Sequence, residues 1–153
     1  MAGLKNRIRN DMTAAMKARD DLRTSTLRMV VAAITSAEVS GKQARELSDD
    51  EVQAVVAAEA KKRRESATAF ADGGRPELAE KETAEAAILA DYLPEQLSAE
   101  EVARIVADVV SSTGTAGEGG KAMGKVMGQV QAQVRGRADG AAVASEVRRQ
   151  LGA

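Results

Sequence analysis

Three observations predict an all-α fold for this chain. Apolar residues recur every three to four positions along most of its length, two Ser-x-x-Glu boxes open apolar runs, and no segment alternates with period two. The expected architecture is an N-terminal four-helix unit followed by a C-terminal three-helix bundle.

Leu4, Ile8, Met12 and Met16 stand four apart and predict a first helix over about residues 3 to 19, with Arg7, Arg9, Lys17 and Arg19 on its other faces. Asp20 and Asp21 then offer a cap and a first-turn anion to a second helix, which carries Leu22, Leu27, Val30, Val31 and Ile34 and ends near Gly41. Ser48 and Glu51 form the first capping box. It opens a third helix that runs to about Ala71 and buries Val52, Val55, Val56 and Phe70. Asp72-Gly73-Gly74-Arg75-Pro76 breaks the chain, because paired glycines end a helix and a proline starts the next. The fourth helix has Leu78, Ile88, Leu89, Tyr92 and Leu93 on its buried side and stops at Pro94.

The second capping box, Ser98 with Glu101, opens a helix with Val102, Ile105, Val106, Val109 and Val110. Residues 111–120 are small, polar and glycine-rich and read as a loop. Met123, Val126, Met127, Val130 and Val134 mark the sixth helix. After Gly136-Arg137-Ala138-Asp139-Gly140, the residues Val143, Val147 and Leu151 mark the seventh. Pro94 separates the two patterns, which gives a helical domain over 1–93, a linker over 94–97 and a three-helix domain over 98–153.

Composition excludes much chemistry. The 153 residues include no His, Cys or Trp, one Tyr and one Phe, so Ser-His triads, cysteine nucleophiles and zinc sites built on thiolate or imidazole are ruled out. No catalytic carboxylate pair, metal site or cofactor site is expected. Ala supplies 31 residues, so the core is lightly built. Neither an apolar signal core nor a run of the roughly 20 apolar residues of a membrane span is evident, and the expected location is the cytoplasm, with no membrane partner. The net charge of -1 hides opposed segments: residues 1–47 hold nine Lys/Arg against five acids, 48–93 six against eleven, 94–117 one against four, and 118–137 four against one.

Several constellations follow from that distribution. Lys61-Lys62-Arg63-Arg64 is the densest cationic run, yet four consecutive helical residues point around the whole helix, and Glu59 and Glu65 flank it. It reads either as a solvated, salt-bridged face or as a nucleic-acid patch, with Lys62 and Arg63 as its candidates. Arg19, Arg23 and Arg28 either pair with glutamates of other helices or meet a polyanion. Gly120, Gly124 and Gly128 form a bare stripe beside Lys121 and Lys125, and each interior helical glycine costs about 1 kcal/mol relative to Ala. Close helix packing and approach of a phosphate backbone both explain the stripe. A phosphate-cradling P-loop does not, because its spacing and preceding strand are absent. With Phe70 and Tyr92 assigned to the core, an RNA partner would be held by backbone and shape rather than by base stacking.

Taken in order, Arg23-Thr-Ser-Thr-Leu-Arg28, Lys62-Arg63-Arg64-Glu65-Ser66 leading to Phe70, Gly74-Arg75 with Leu78, the stretch ILADYLPEQL from Ile88 to Leu97, Met123-Gly-Lys-Val-Met127, and Ala138-Asp-Gly140 with Val143 resemble the GatB/YqeY family. The resemblance spans nearly the full chain. It implies a four-helix unit followed by a three-helix YqeY-type unit, similar to the helical tail of the B subunit of tRNA-dependent amidotransferase. In that enzyme the tail holds tRNA while another domain amidates glutamyl- or aspartyl-tRNA. A similar module fused to some glutaminyl-tRNA synthetases points the same way.

The implied function is a tRNA-associated accessory module, partnered with tRNA, aminoacyl-tRNA or amidotransferase components. A carbon-nitrogen ligase label, with glutamine as amide donor, follows through the shared domain rather than from catalysis by this chain. By the same resemblance the tRNA-contacting end maps onto Met123 to Met127 and the Ala138-Asp139-Gly140 turn, which makes Lys121, Gly124, Lys125, Gly128, Arg135, Arg137, Asp139 and Gly140 the candidate contacts. The alternative is a helical protein-protein scaffold that never touches RNA.

Overall fold

The computed structural model describes residues 3–153, which contain seven α-helices and one 3-10 turn, with no strand among the described residues. They divide into two compact units that meet in sequence between Leu93 and Pro94.

The first unit holds α1 (Gly3–Lys17), α2 (Asp21–Glu38), α3 (Asp49–Asp72) and α4 (Pro76–Ala90). Local signals start these helices as anticipated. The Asp20 carboxylate accepts from the Arg23 N–H, and Ser48 and Glu51 make both bonds of the capping box. Ile8, Leu27, Ile34, Val52, Val56 and Leu89 are completely buried in the core. Each such aliphatic side chain contributes about 1.5 to 3 kcal/mol relative to exposure. Two polar clasps close the far end of the unit: Lys5 Nζ stands 2.6 Å from Glu38, and the Leu4 N–H donates to Asp49 at 3.1 Å.

The α1 stripe differs from the expected one. Met16 is half-exposed, and Ala15 is buried in its place. A strict four-residue repeat drifts by about 40° per step on a helix of 3.6 residues per turn, so Met16 has rotated away from Ile8 while Ala15 returns to its face. The helix also stops at Lys17 rather than Arg19. Arg19 takes a left-handed conformation with φ of 57°, the position a glycine commonly fills at a helix end, so the sequence carries no glycine to mark this stop. Helix α2 ends at Glu38, short of Gly41, and leaves Val39 exposed. Tyr92 is buried as expected but lies in the turn after α4, and Phe70, Val55 and Leu78 are only partly buried.

The second unit holds α5 (Ala99–Thr113), a 3-10 turn (Gly119–Ala122), α6 (Met123–Val134) and α7 (Gly140–Leu151). Its core is mostly valine, with Val106, Val126, Val130, Val143 and Val147 fully buried. Valine loses side-chain freedom in a helix, so packing rather than intrinsic propensity holds these helices. The Ser98 and Glu101 box forms in full, and Asp139 caps α7 by accepting from the Ala142 N–H at 3.2 Å.

Helix α5 runs three residues into the stretch expected to be loop. The hydroxyls of Ser112 and Thr113 bond back to the Val109 carbonyl, which satisfies the last turn before Gly114 ends it with φ of 64°. Residues 94–97, expected to be a linker, are tied into this unit. The Leu97 N–H donates to the Arg137 carbonyl at 2.8 Å, Gln96 Nε2 to the Gly136 carbonyl at 3.0 Å, and Arg137 Nε to the Glu95 carbonyl at 3.2 Å.

Candidate functional site

The amphipathic pattern of α6 turns Val126, Val130 and Val134 inward and leaves Gly124, Lys125, Gly128, Gln129 and Gln133 exposed on the other side. Lys121 precedes them on the 3-10 turn, also exposed. From Gly119 to Val134 there is no acidic residue, and Lys121, Lys125 and Arg135 make no ion pair among the described residues. Neither the 3-10 turn nor α6 receives a side-chain cap, whereas α2, α3, α5 and α7 are each capped by an aspartate or serine. Glu118 stands at the N-cap position of the 3-10 turn but its side chain makes no capping hydrogen bond.

The glycine stripe resolves one of the open alternatives. A Cβ added at Gly120, Gly124 or Gly128 would meet nothing within 4 Å, so no neighbouring helix of the chain packs closely on the stripe. Gly120 belongs to the 3-10 turn, so the helical stripe itself consists of Gly124 and Gly128. What the bare surface offers is close access for a partner's backbone, with two lysines one turn apart beside it.

The other candidates of this unit have structural duties. Arg137 is half-buried and fastens the 94–97 segment, while Asp139 is the α7 cap and Gly140 the first residue of that helix, with open space around it. Arg135 closes α6 and is exposed.

In the first unit Lys62 and Arg63 follow the salt-bridged one of the two readings. Arg63 is 5% exposed, so it leaves the surface altogether. Its Nη1 donates to the Glu59 carboxylate at 3.0 Å and to the Glu59 carbonyl at 3.2 Å, and its Nε lies 3.6 Å from Glu85 on α4. Lys62 remains exposed but is paired with Glu59 at 3.0 Å. Glu59 and Glu85 form a buried carboxylate pair around one guanidinium, which sequence reasoning missed. The Glu59 to Arg63 spacing was the available signal, but nothing local announced Glu85 as the second partner.

Arg19 and Arg28 are exposed. Arg23 is half-buried and lines an open depression of about 270 Å3 with Asp11, Asp20, Ala14, Ala15 and Ala18. Beside it the Tyr92 hydroxyl donates to Asp11 at 2.6 Å, and the Arg7 guanidinium stands 4.8 Å from the Tyr92 ring centre. Burial first, and then the Asp11 bond, push the Tyr92 hydroxyl up to about 12, so it stays protonated and serves as a donor.

Among the described residues no group of three His, Cys, Asp or Glu is placed to hold a metal, and no helix is long and apolar enough to cross a membrane. No curated protein matches the chain. Residues 5–151 match the family described as Yqey-like protein, and the chain, all-helical and carrying the expected run of motifs over that span, belongs to the YqeY-like family.

Proposed function

We propose that this protein is a cytoplasmic, tRNA-associated accessory module, built as an N-terminal four-helix unit and a C-terminal three-helix bundle. It binds tRNA by shape and phosphate contacts through Lys121, Gly124, Lys125, Gly128 and Arg135, with Arg137, Asp139 and Gly140 at the adjoining turn. The single observation that carries this reading is the α6 face, where two open glycines lie beside two unpaired lysines with no acid between Gly119 and Val134. Likeness of the family to the amidotransferase tail supports it further.

The mechanism is positional. Lysine ammonium groups neutralise phosphates and release counterions, and the missing Cβ atoms let the sugar-phosphate backbone approach the helix. Arg19, Arg23, Arg28 and Lys62 are secondary contacts on the first unit. Carbon-nitrogen ligation with glutamine as amide donor lies, on this reading, with the larger enzyme.

The test is binding of total tRNA by the native chain and by Lys121→Ala/Lys125→Ala over a salt series. Affinity is expected to fall steeply with salt, and the double substitution to flatten the log-log slope by about 2, roughly one for each lysine lost. Binding indifferent to the substitution removes this site. The second reading, a protein-interaction scaffold, draws on the same open stripe, which would also admit a partner helix. Partners that stay bound after ribonuclease treatment and are lost on Gly124→Leu would favour it.

A further inference from the structure

The buried guanidinium of Arg63 is short of acceptors on one edge. Its Nε has no hydrogen-bond partner, and the acceptor of its Nη2 is the thioether sulfur of Met29 on α2, at 3.3 Å. Sulfur is a weak acceptor, and a buried charged donor left undersatisfied is costly. Met29 itself is 50% exposed, so its side chain lies at the surface while its sulfur faces a buried cation. Met16 is equally exposed, but its sulfur accepts no hydrogen bond among the described residues.

We propose that Met29 is a reversible peroxide-modification site whose oxidation tightens the junction between α2 and α3. The peroxide O–O bond breaks, one oxygen forms an S–O bond on Met29, and the other leaves as water. The sulfur loses two electrons and the peroxide gains them, with no net proton exchange. The product sulfoxide carries a strongly polar oxygen. A small outward shift of the half-exposed side chain places that oxygen where Arg63 Nη2 can donate to it, replacing a weak bond by a charge-assisted one. Two thiols acting through a sulfoxide reductase reverse the change: the S–O bond breaks, the oxygen leaves as water with the two thiol protons, and the thiols are oxidised to a disulfide.

The experiment treats the full chain and its Met29→Leu variant with the same dose of hydrogen peroxide, maps tryptic peptides by mass, and reads thermal midpoints by far-ultraviolet circular dichroism. The two proteins share every other methionine, so the difference between their shifts isolates Met29. One added oxygen is expected in the peptide that begins at Met29, together with a midpoint that rises by about 4 °C relative to the variant's own response. A Met29→Gln protein, whose amide oxygen imitates the new acceptor, is expected to melt above Met29→Leu without any oxidant. Three results each overturn the proposal: no oxygen on Met29 at a dose that oxidises Met16, an oxidised Met29 with no relative gain in midpoint, or Met29→Gln melting at or below Met29→Leu.

Discussion

The two basic stretches of this protein meet opposite fates. On α3 the run from Lys61 to Arg64 is denser in charge than anything on α6, yet Arg63 is buried between Glu59 and Glu85, and Lys62 is held by Glu59. On the 3-10 turn and the start of α6, Lys121 and Lys125 stay exposed and have no ion pair among the described residues. The difference lies in the acids. Helix α3 carries Glu59 within one turn and faces Glu85 across the α3 and α4 hairpin, while the segment from Gly119 to Val134 has no carboxylate at all. Density of positive charge is therefore a poor guide to which cations stay unpaired. Absence of a nearby acid is the better one, because exposed charges keep their reach only where nothing neutralises them.

The largest effect should come from breaking the buried side of the comparison. Arg63→Met strands the buried Glu85 and leaves the buried Glu59 with only Lys62, and the expected loss is about 3 to 5 kcal/mol, measured by urea unfolding followed by circular dichroism. A loss below about 1 kcal/mol would show that the cluster is wet and loosely held. The corresponding change on the 3-10 turn and α6, Lys121→Ala/Lys125→Ala, is expected to leave stability within about 0.5 kcal/mol, since neither lysine has an ion-pair partner among the described residues.

A gain of about 1 kcal/mol is expected from Gly128→Ala, because an interior helical position exchanges glycine for alanine and the added Cβ meets open space. The same variant should bind tRNA less well if the stripe serves a backbone approach. A protein that is both more stable and weaker in binding would separate packing from recognition at this position. One that is destabilised would contradict the open surface.

The smallest effect concerns acid. Arg45 donates to Glu51, and with the Ser48 N–H it holds the Glu51 carboxyl down at about 2, against an ordinary value of 4.5. A carboxyl depressed in the folded state adds stability that is complete above its ordinary value and is lost as pH falls toward 2. Arg45→Gln should therefore lower the thermal midpoint at neutral pH slightly and flatten its fall between about pH 5 and 2. Glu101, in the matching box of the second unit, has no arginine partner among the described residues; the depressed carboxyl of that unit is Glu146 on α7, held down by its hydrogen bonds from Arg149. An unchanged slope in Arg45→Gln would place the sensitivity on the other depressed carboxyls, Glu38, Glu77 and Glu146.

Helix identity was written locally. Ser48, Ser98, Asp20 and the Asp72 to Pro76 break are short-range signals, and each acts within one turn of its own residue, which is why a linear reading located them. Valine spacing in the second unit likewise named its core. Helix ends set by hydroxyl back-bonding at Thr113, or by a left-handed Arg19, were not legible, because no glycine or proline announces them.

By itself the sequence determined an all-helical chain, two capping boxes, the exclusion of histidine and cysteine chemistry, and the resemblance that the family match later supported. Only the tertiary structure decided which cations are available. Arg63 is paired with Glu59 on its own helix and also with Glu85, 22 residues away, which reaches it only through the α3 and α4 hairpin, and a Cβ at either α6 glycine would meet nothing within 4 Å among the described residues. Both outcomes depend on what lies across space from a residue, and periodicity along one helix carries no information about that.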